Sequence, residues 1–400
     1  MSTTASESSV FERARREFRV LDQMTYLDVA GRAPMADRVH RAMLDYLEVC
    51  RARGADKEEW YARVERLRAR TAAFLGADAT EIAFMKNTSD GLNSVGAALR
   101  LAAGDNVLVS PEFEHANNVY PWVHLRDRGV AVRTIDVGPG GVVRAEDVAA
   151  AIDESTRLVT LSAVSSWTGA RPDLAAIARV CHSRGAFFLV DAAQALGVVD
   201  VDVHRDGVDA LAAATQKGLL GMYGLGVLYC SAEWFDRLRP PFLSVAGVDR
   251  AGLHESDLGD FENAAVLRSA ARFEVGNHNF AGLFAFEAAL SIVEEAGAAA
   301  VERHVLGLAE ELTLALASAG LPPSLDHAQS GIVSFAVPDP EALVARLDAA
   351  RVRVSLRRGR VRASLHLYND QSDIERLVSL LPTPTGHVLP AGVTRQETTP

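Results

Sequence analysis

The chain reads as an α/β protein. A mostly parallel sheet sandwiched by helices forms a large domain, and a smaller α+β domain follows it. Two observations predict this. Between residues 81 and 230, short apolar runs of strand length alternate with helical stretches. Strands that are apolar throughout are buried on both faces, as in a parallel sheet covered by helices. From about Phe280 the alternation gives way to two long helices and then a mixed set of short elements. The length of 400 residues agrees, because about 150 residues per domain gives two or three domains.

The elements follow in order. Residues 1 to 10 are expected to be disordered and 11 to 20 to form a short helix. Arg38 to Leu75 reads as helix, with a break at Gly54. Glu81–Met85 is a strand, and Asn87, Thr88, Ser89 and Asp90 supply helix N-cap residues before Leu92, Val95, Ala98 and Leu99 at helical spacing. Asn106–Ser110 is a strand and Ala116–Arg128 a helix. Further buried strands are predicted at Ala131–Ile135, Leu158–Val164, Ala186–Val190, Val208–Ala213 and Leu225–Cys230, with a helix at Asp173–Arg184. Helices near Ala281–Glu295 and Ala298–Ala319 lead to a strand at Gly331–Val337. A helix at Pro340–Ala350, strands at Val352–Ser355 and Val361–Leu365, and a helix at Ser372–Leu381 complete the pattern. The predicted division is an N-terminal segment (1–22), a large domain (23–279), a small domain (280–382) and a tail (383–400) rich in Pro, Thr and Gly.

Composition removes several functions. Lys+Arg is 41 against 52 for Asp+Glu, a net charge of −11, which argues against a nucleic-acid binder with a basic stripe. No apolar run approaches the roughly 18 to 20 residues of a membrane span, so no membrane partner is expected. The first residues lack the apolar core of a signal peptide, which points to a cytoplasmic protein. Cys50, Cys181 and Cys230 are scattered. They have neither metal-ligand spacing nor the makings of a disulfide framework. Only three of the 41 basic residues are lysine: Lys57, Lys86 and Lys217. A GC-rich coding bias explains the excess of arginine, yet a lysine retained under that bias suggests a need for an amine that can lose its proton.

Ligands of such sheets bind beyond the carboxyl ends of the strands, and several polar residues fall there. Lys217 follows the apolar run Val208–Ala214 beside glycines. Burial there would lower its pKa and expose a nucleophilic amine. Lys57 sits in a charged helix, and Lys86 ends a strand. Asp191 follows Ala186–Val190, and a carboxylate at the end of a buried strand needs a partner such as a protonated pyridine nitrogen. Gln194 lies one turn on. Thr88 and Ser89 open a helix whose free N–H groups suit a phosphate. His115 offers a flat ring that could stack on an aromatic ligand. Separately each has an ordinary structural explanation. Together, a phosphate site, a stacking ring, a carboxylate for a pyridinium and a buried lysine are the requirements of pyridoxal phosphate.

With these residues in place, the sequence resembles the fold-type I, class V aminotransferase family, in its cysteine desulfurase, selenocysteine lyase and isopenicillin N epimerase-like branch. The resemblance runs from Tyr26-Leu-Asp-Val-Ala30 to the last helix. It is most specific at Val190-Asp-Ala-Ala-Gln-Ala195, Ala214-Thr-Gln-Lys-Gly218 and Gly224-Leu-Gly-Val-Leu-Tyr229. It implies that Lys217 holds the cofactor as a Schiff base, Asp191 pairs with the ring nitrogen, and Gln194 faces the phenolic oxygen. It also implies that His115 stacks on the ring and that Thr88, Ser89, Thr215 and Gln216 serve the phosphate. Asn277, in Arg272-Phe-Glu-Val-Gly-Asn277, matches a segment that reaches the neighbouring subunit's phosphate, which implies a homodimer. Arg362 matches an arginine that clamps a substrate carboxylate, and Ala30 falls in the substrate-binding turn. An amino acid is the implied substrate, and no metal is implied.

Three departures shape the expected reaction. Ala163 stands where the family usually has Asn or His, and Ala214 where serine is common. No cysteine follows residue 230, and Val354–Arg360 is a short basic connector in place of a sulfur-accepting loop. The expected reaction is therefore C–S bond cleavage (β-elimination) of a cysteine S-conjugate, in specialised sulfur metabolite biosynthesis. The alternatives are decarboxylation-linked oxidative deamination, transamination and epimerisation. A non-catalytic cofactor-binding module is opposed by Arg362 and Lys217.

Overall fold

The computed structural model describes residues 2–382 except 55, 139, 250–256 and 259. The predicted tail, 383–400, lies outside the described residues. The chain opens with α1 (Ser2–Arg15), β1 (Thr25–Tyr26), α2 (Asp37–Ala52) and α3 (Lys57–Leu75). The large-domain series is β2 (Ile82–Met85), α4 (Thr88–Ala98), β3 (Asn106–Val109), α5 (Tyr120–His124), β4 (Ala131–Thr134), α6 (Ala145–Ala151), β5 (Thr156–Ser162), α7 (Leu174–Ser183), β6 (Phe187–Asp191), β7 (Ala210–Ala214) and β8 (Gly226–Cys230). A short hairpin, β9 (Val248–Asp249) with β10 (Ala265–Val266), precedes α8 (Phe280–Ala296) and α9 (Ala298–Ser318). The small domain continues through β11 (Ile332–Phe335), α10 (Pro340–Ala349), β12 (Val352–Arg353), β13 (Ser355–Arg357), β14 (Arg360–Ser364) and α11 (Gln371–Ser379).

The seven large-domain strands form one sheet in the order β2-β8-β7-β6-β5-β3-β4. Only β8 runs against the others, being antiparallel to both β2 and β7. Helices cover both faces, and apolar side chains lie against each. The architecture is the expected one: a large α/β domain plus a smaller α+β domain whose sheet has the order β11-β14-β13. At β7 the sequence Ala210-Leu-Ala-Ala-Ala214 lets α4 approach closely. A Cβ on Gly91 of α4 would meet the Ala212 Cβ at 2.8 Å. The N-terminus of α4 is thereby drawn down onto the strand ends.

Four expectations are corrected. Residues 2–10 belong to α1, which is anchored by tertiary contacts that local composition does not show. Phe11 stacks on His304, and Arg15 bonds to Asp373 (2.8 Å) and the Tyr368 carbonyl (2.6 Å). The predicted helix over Ala116–Arg128 is broken into two 3₁₀ turns flanking α5, with Pro121 in the first turn of α5. Helix α6 was not anticipated. The strand predicted at Val352–Ser355 splits at Val354, because β12 pairs in parallel with β1 while β13 pairs with β14.

Candidate active site

Beyond the carboxyl ends of the strands lies a cavity of about 280 Å³. It is lined by Thr88, Ser89, His115, Asp191, Gln194, Gln216 and Lys217, together with residues that include Ser162, Ser166 and Tyr223. Seven of the residues singled out by sequence thus line one cavity.

Their geometry follows from the elements that carry them. Asn87 caps α4, its Oδ1 accepting the Asp90 N–H at 2.9 Å. Thr88 and Ser89 then occupy the first turn, where N–H groups have no intrahelical acceptor and the helix dipole favours an anion. Asp191 ends β6 and is buried, with Oδ1 accepting the Ala193 N–H at 2.9 Å. Burial pushes its carboxyl upward, and Lys217 and His115 pull in the opposite direction. Lys217 follows β7, and burial holds its ammonium below the ordinary lysine range. Arg362 and Arg357 add to that depression and Asp191 opposes it. His115 accepts the Asn117 N–H at Nδ1 (3.1 Å), so the neutral ring carries its proton on Nε2. Burial and the charge of Lys217 lower its pKa. Gln194 donates to the Ala30 carbonyl at 3.0 Å, which ties the predicted substrate turn to the cavity wall.

These residues fit pyridoxal phosphate. The Gln216 Oε1 is buried without a hydrogen-bond partner among the described residues. Asp191 is a buried carboxylate in need of a cation. The open helix end of α4 and the depressed amine of Lys217 complete the match to an anionic, cationic-ring aldehyde.

Four predicted residues lie outside the cavity lining, among them Ala30, which is joined to it only through Gln194. Thr215 is buried, and its hydroxyl donates to the carbonyls of Met222 (2.8 Å) and Leu225 (3.2 Å), where it braces the loop after β7. Asn277 lines a neighbouring cavity of about 330 Å³ that includes Lys86 and shares Gly224 with the first. Arg362 is buried on β14 and reaches the cavity wall through the Ser166 carbonyl (2.6 Å). It also donates to Ser355 Oγ (3.1 Å) and to Asp28 Oδ1 (3.2 Å). One N–H of the five is used at Nε and one at each terminal nitrogen. Two of its five N–H donors remain beyond these three bonds.

Glu114 was missed by sequence reasoning. It is buried beside the cavity and accepts from the Ser162 N–H, the Ser162 hydroxyl and Asn118 Nδ2. Register places Ser162 opposite Asp191. Burial pushes the Glu114 carboxyl up to about 8, its hydrogen bonds oppose the shift, and Asp191 adds to it. Its folded-state pKa is raised, so the proton is held more tightly in the folded chain than in the unfolded one. The stability it contributes is fully present below the unfolded pKa of about 4.5 and is lost as pH rises toward about 8. Denaturant titrations from pH 5 to pH 8 are expected to show this decline in wild type and a flatter profile in Glu114→Gln.

The connector between β13 and β14 is a two-residue hairpin. Arg358 (φ 48°) and Gly359 (φ 72°) both take positive φ, as a tight turn between twisted strands requires. Arg358 tolerates that conformation while donating to the carbonyls of Glu112 (2.6 Å), Pro111 (3.3 Å) and Glu114 (3.1 Å). Its guanidinium also lies 4.9 Å from the centre of the Trp167 ring. The hairpin is therefore docked on the segment that carries His115.

Comparison with known proteins shows the family and the fold. The family model described as Aminotransferase class-V matches residues 25–377. A probable cysteine desulfurase of Methanothermobacter thermautotrophicus is 35% identical over 393 residues, covering 92% of this chain and 96% of that protein. The apo structure of a cysteine desulfurase from Thermococcus onnurineus NA1 matches with a TM-score of 0.82 at 27% identity, covering 92% and 96% of the two chains. The cystine C-S lyase C-DES, solved with its reaction product cysteine persulfide, shares the fold with a TM-score of 0.84 at 23% identity, covering 92% and 100%. No helix among the described residues is long and apolar enough to cross a membrane.

Proposed function

The chain belongs to the class-V aminotransferase family and is a pyridoxal-phosphate-dependent enzyme of fold-type I, and from that premise we propose that it cleaves the C–S bond of a cysteine S-conjugate. Its relatives carry the names of cysteine desulfurases, which supports a cysteine-derived substrate. The observation that carries the finer reading concerns the thiols. Cys181 and Cys230 are buried, and burial raises both thiol pKa values, that of Cys181 to about 12. Cys50 is exposed on α2 and does not line the cavity. The docked hairpin over Arg357–Arg360 stands where a sulfur-accepting loop would need to move. A persulfide on the protein has no suitable host, so sulfur leaves as a small thiol.

The bound cofactor supplies an electron sink for charge that develops at the substrate α-carbon. Asp191 would hold the positive charge of the ring nitrogen, and His115 would offer its flat ring to the cofactor. Arg362 would bind the α-carboxylate through its remaining N–H donors. The Lys217 amine would hold the cofactor and take the substrate α-proton, its proton affinity lowered by burial. The Cβ–S bond then breaks, and the thiolate departs with the bonding pair and takes a proton from water. The remaining three-carbon unit is released and hydrolysed to pyruvate and ammonium.

The holoenzyme is expected to release thiol and pyruvate one for one from a cysteine S-conjugate. Joint replacement of Cys50, Cys181 and Cys230 should leave the rate within about twofold, as surface and inert core changes do when the fold is kept. Carbon dioxide without pyruvate, or a persulfide on the protein, would overturn the assignment. We also propose that Asn277 completes the phosphate site of a second copy in a homodimer with a two-fold interface. Sedimentation during turnover should show activity only in the dimer, and a fully active monomer would refute it.

A further inference from the structure

We propose that Arg357 is a specificity-determining residue that receives a second carboxylate, carried on the side chain of the substrate. This deepens the C–S cleavage reading and rests on it for the class of substrate. In the β13–β14 register, Ser355 pairs with Arg362 and Arg357 with Arg360. Directly paired residues of an antiparallel ladder point to one face, and so do residues two apart on a strand. Arg357 therefore shares the face on which Arg362 meets Ser355 and the cavity-wall residue Ser166. Arg357 and Arg362 are diagonal neighbours of the ladder, roughly 7–8 Å apart, which is comparable to the reach from the α-carboxylate of a cysteine conjugate to an acid group just beyond its sulfur.

The arginines around this hairpin differ in how they are engaged. Arg358 is committed to three backbone carbonyls and the Trp167 ring. Arg360 donates to the Pro322 carbonyl at 3.0 Å. Arg353 is paired with Asp348 at 3.2 Å. Arg362 is paired with Asp28. Arg357 is exposed, donates only to its neighbour's carbonyl at Leu356 (2.7 Å), and has no carboxylate partner among the described residues. Its charge nonetheless reaches the site, since it depresses the proton affinity of Lys217, His115 and Arg362. Arg357 thus holds a guanidinium without a carboxylate partner among the described residues, diagonal to the α-carboxylate clamp on the same face of the hairpin. A fixed, docked hairpin holds it there.

The test compares two isosteric ligands, S-carboxymethylcysteine and its neutral amide S-carbamoylmethylcysteine. Equilibrium binding to the holoenzyme is followed by the change in visible absorbance of the bound cofactor, a readout that does not depend on which bond later breaks. Wild type is expected to bind the dicarboxylate about tenfold more tightly than the amide, a charge-assisted contact discounted for exposure. In Arg357→Gln the ratio should collapse to near one. In Arg357→Lys, which keeps the charge, part of it should return. Equal binding of the two ligands by wild type, a preference that survives in Arg357→Gln, or no absorbance change with either ligand would overturn the proposal. Failure of the C–S cleavage reading looks different: the binding preference would stand while pyruvate and thiol fail to appear.

Discussion

Replacement of Lys217 by alanine is expected to lower kcat by at least about 10³-fold, within the range that a positioned acid–base group supplies. The loss is large because one amine serves two purposes. It anchors the cofactor covalently, and it carries the proton at the substrate α-carbon. Asp191, Gln216 and the α4 N-terminus remain in the variant, so the cofactor should still be retained noncovalently. In wild type, borohydride reduction followed by peptide mapping should place the cofactor on Lys217. The other two lysines do not line this cavity: Lys86 lines the neighbouring one, and Lys57 begins α3. Label on either of those, or an active Lys217→Ala protein, would refute the assignment.

The second large effect is expected at Arg362. Arg362→Ala should lower kcat/KM by about 2–5 kcal/mol of binding free energy, or roughly 30- to 5,000-fold, the range for truncating one member of a buried charge pair. A separate cost falls on folding stability, because Asp28 loses its guanidinium partner. Arg362→Ala combined with Asp28→Asn separates the two contributions. The double variant should recover folding stability in denaturant titrations but not kcat/KM. Cofactor absorbance should survive in both. An unchanged kcat/KM on carboxylated substrates would move the clamp elsewhere.

Legibility in the sequence followed the range of the interactions involved. Lys217 and Asp191 stood out because each ends a run of apolar residues, and a polar group at a buried strand end needs a reason. Thr88 and Ser89 stood out because a strand-to-helix junction is a local pattern. Arg362 emerged only by resemblance to the family, since nothing near it in sequence marks it among neighbouring arginines. Glu114 was invisible: Phe113-Glu-His reads as a polar loop, and its burial comes from Ser162 and Asn118, brought together by the sheet. Arg358 looked like one charge in a basic connector, but its partners lie some 250 residues away in the chain. The reversed direction of β8 was equally hidden, because apolar content reports burial and not strand polarity.

The pairing of β1 with β12 also has a consequence for how the protein is made. Thr25 finds its sheet partner only at Val352. At about 5–20 residues per second, the ribosome needs roughly 15 to 65 s to supply the roughly 330 residues between them. During that time β1 has no strand to join, while the large sheet, closed by residue 230, has all its strands. Contacts of such long sequence separation form late. The order of synthesis therefore divides the site in two. A nascent chain paused before residue 350 already holds every residue that lines the cofactor cavity, from Asn87 to Gly224, yet it lacks Arg362. Such a chain should capture pyridoxal phosphate on the ribosome well before it is able to recognise an amino acid.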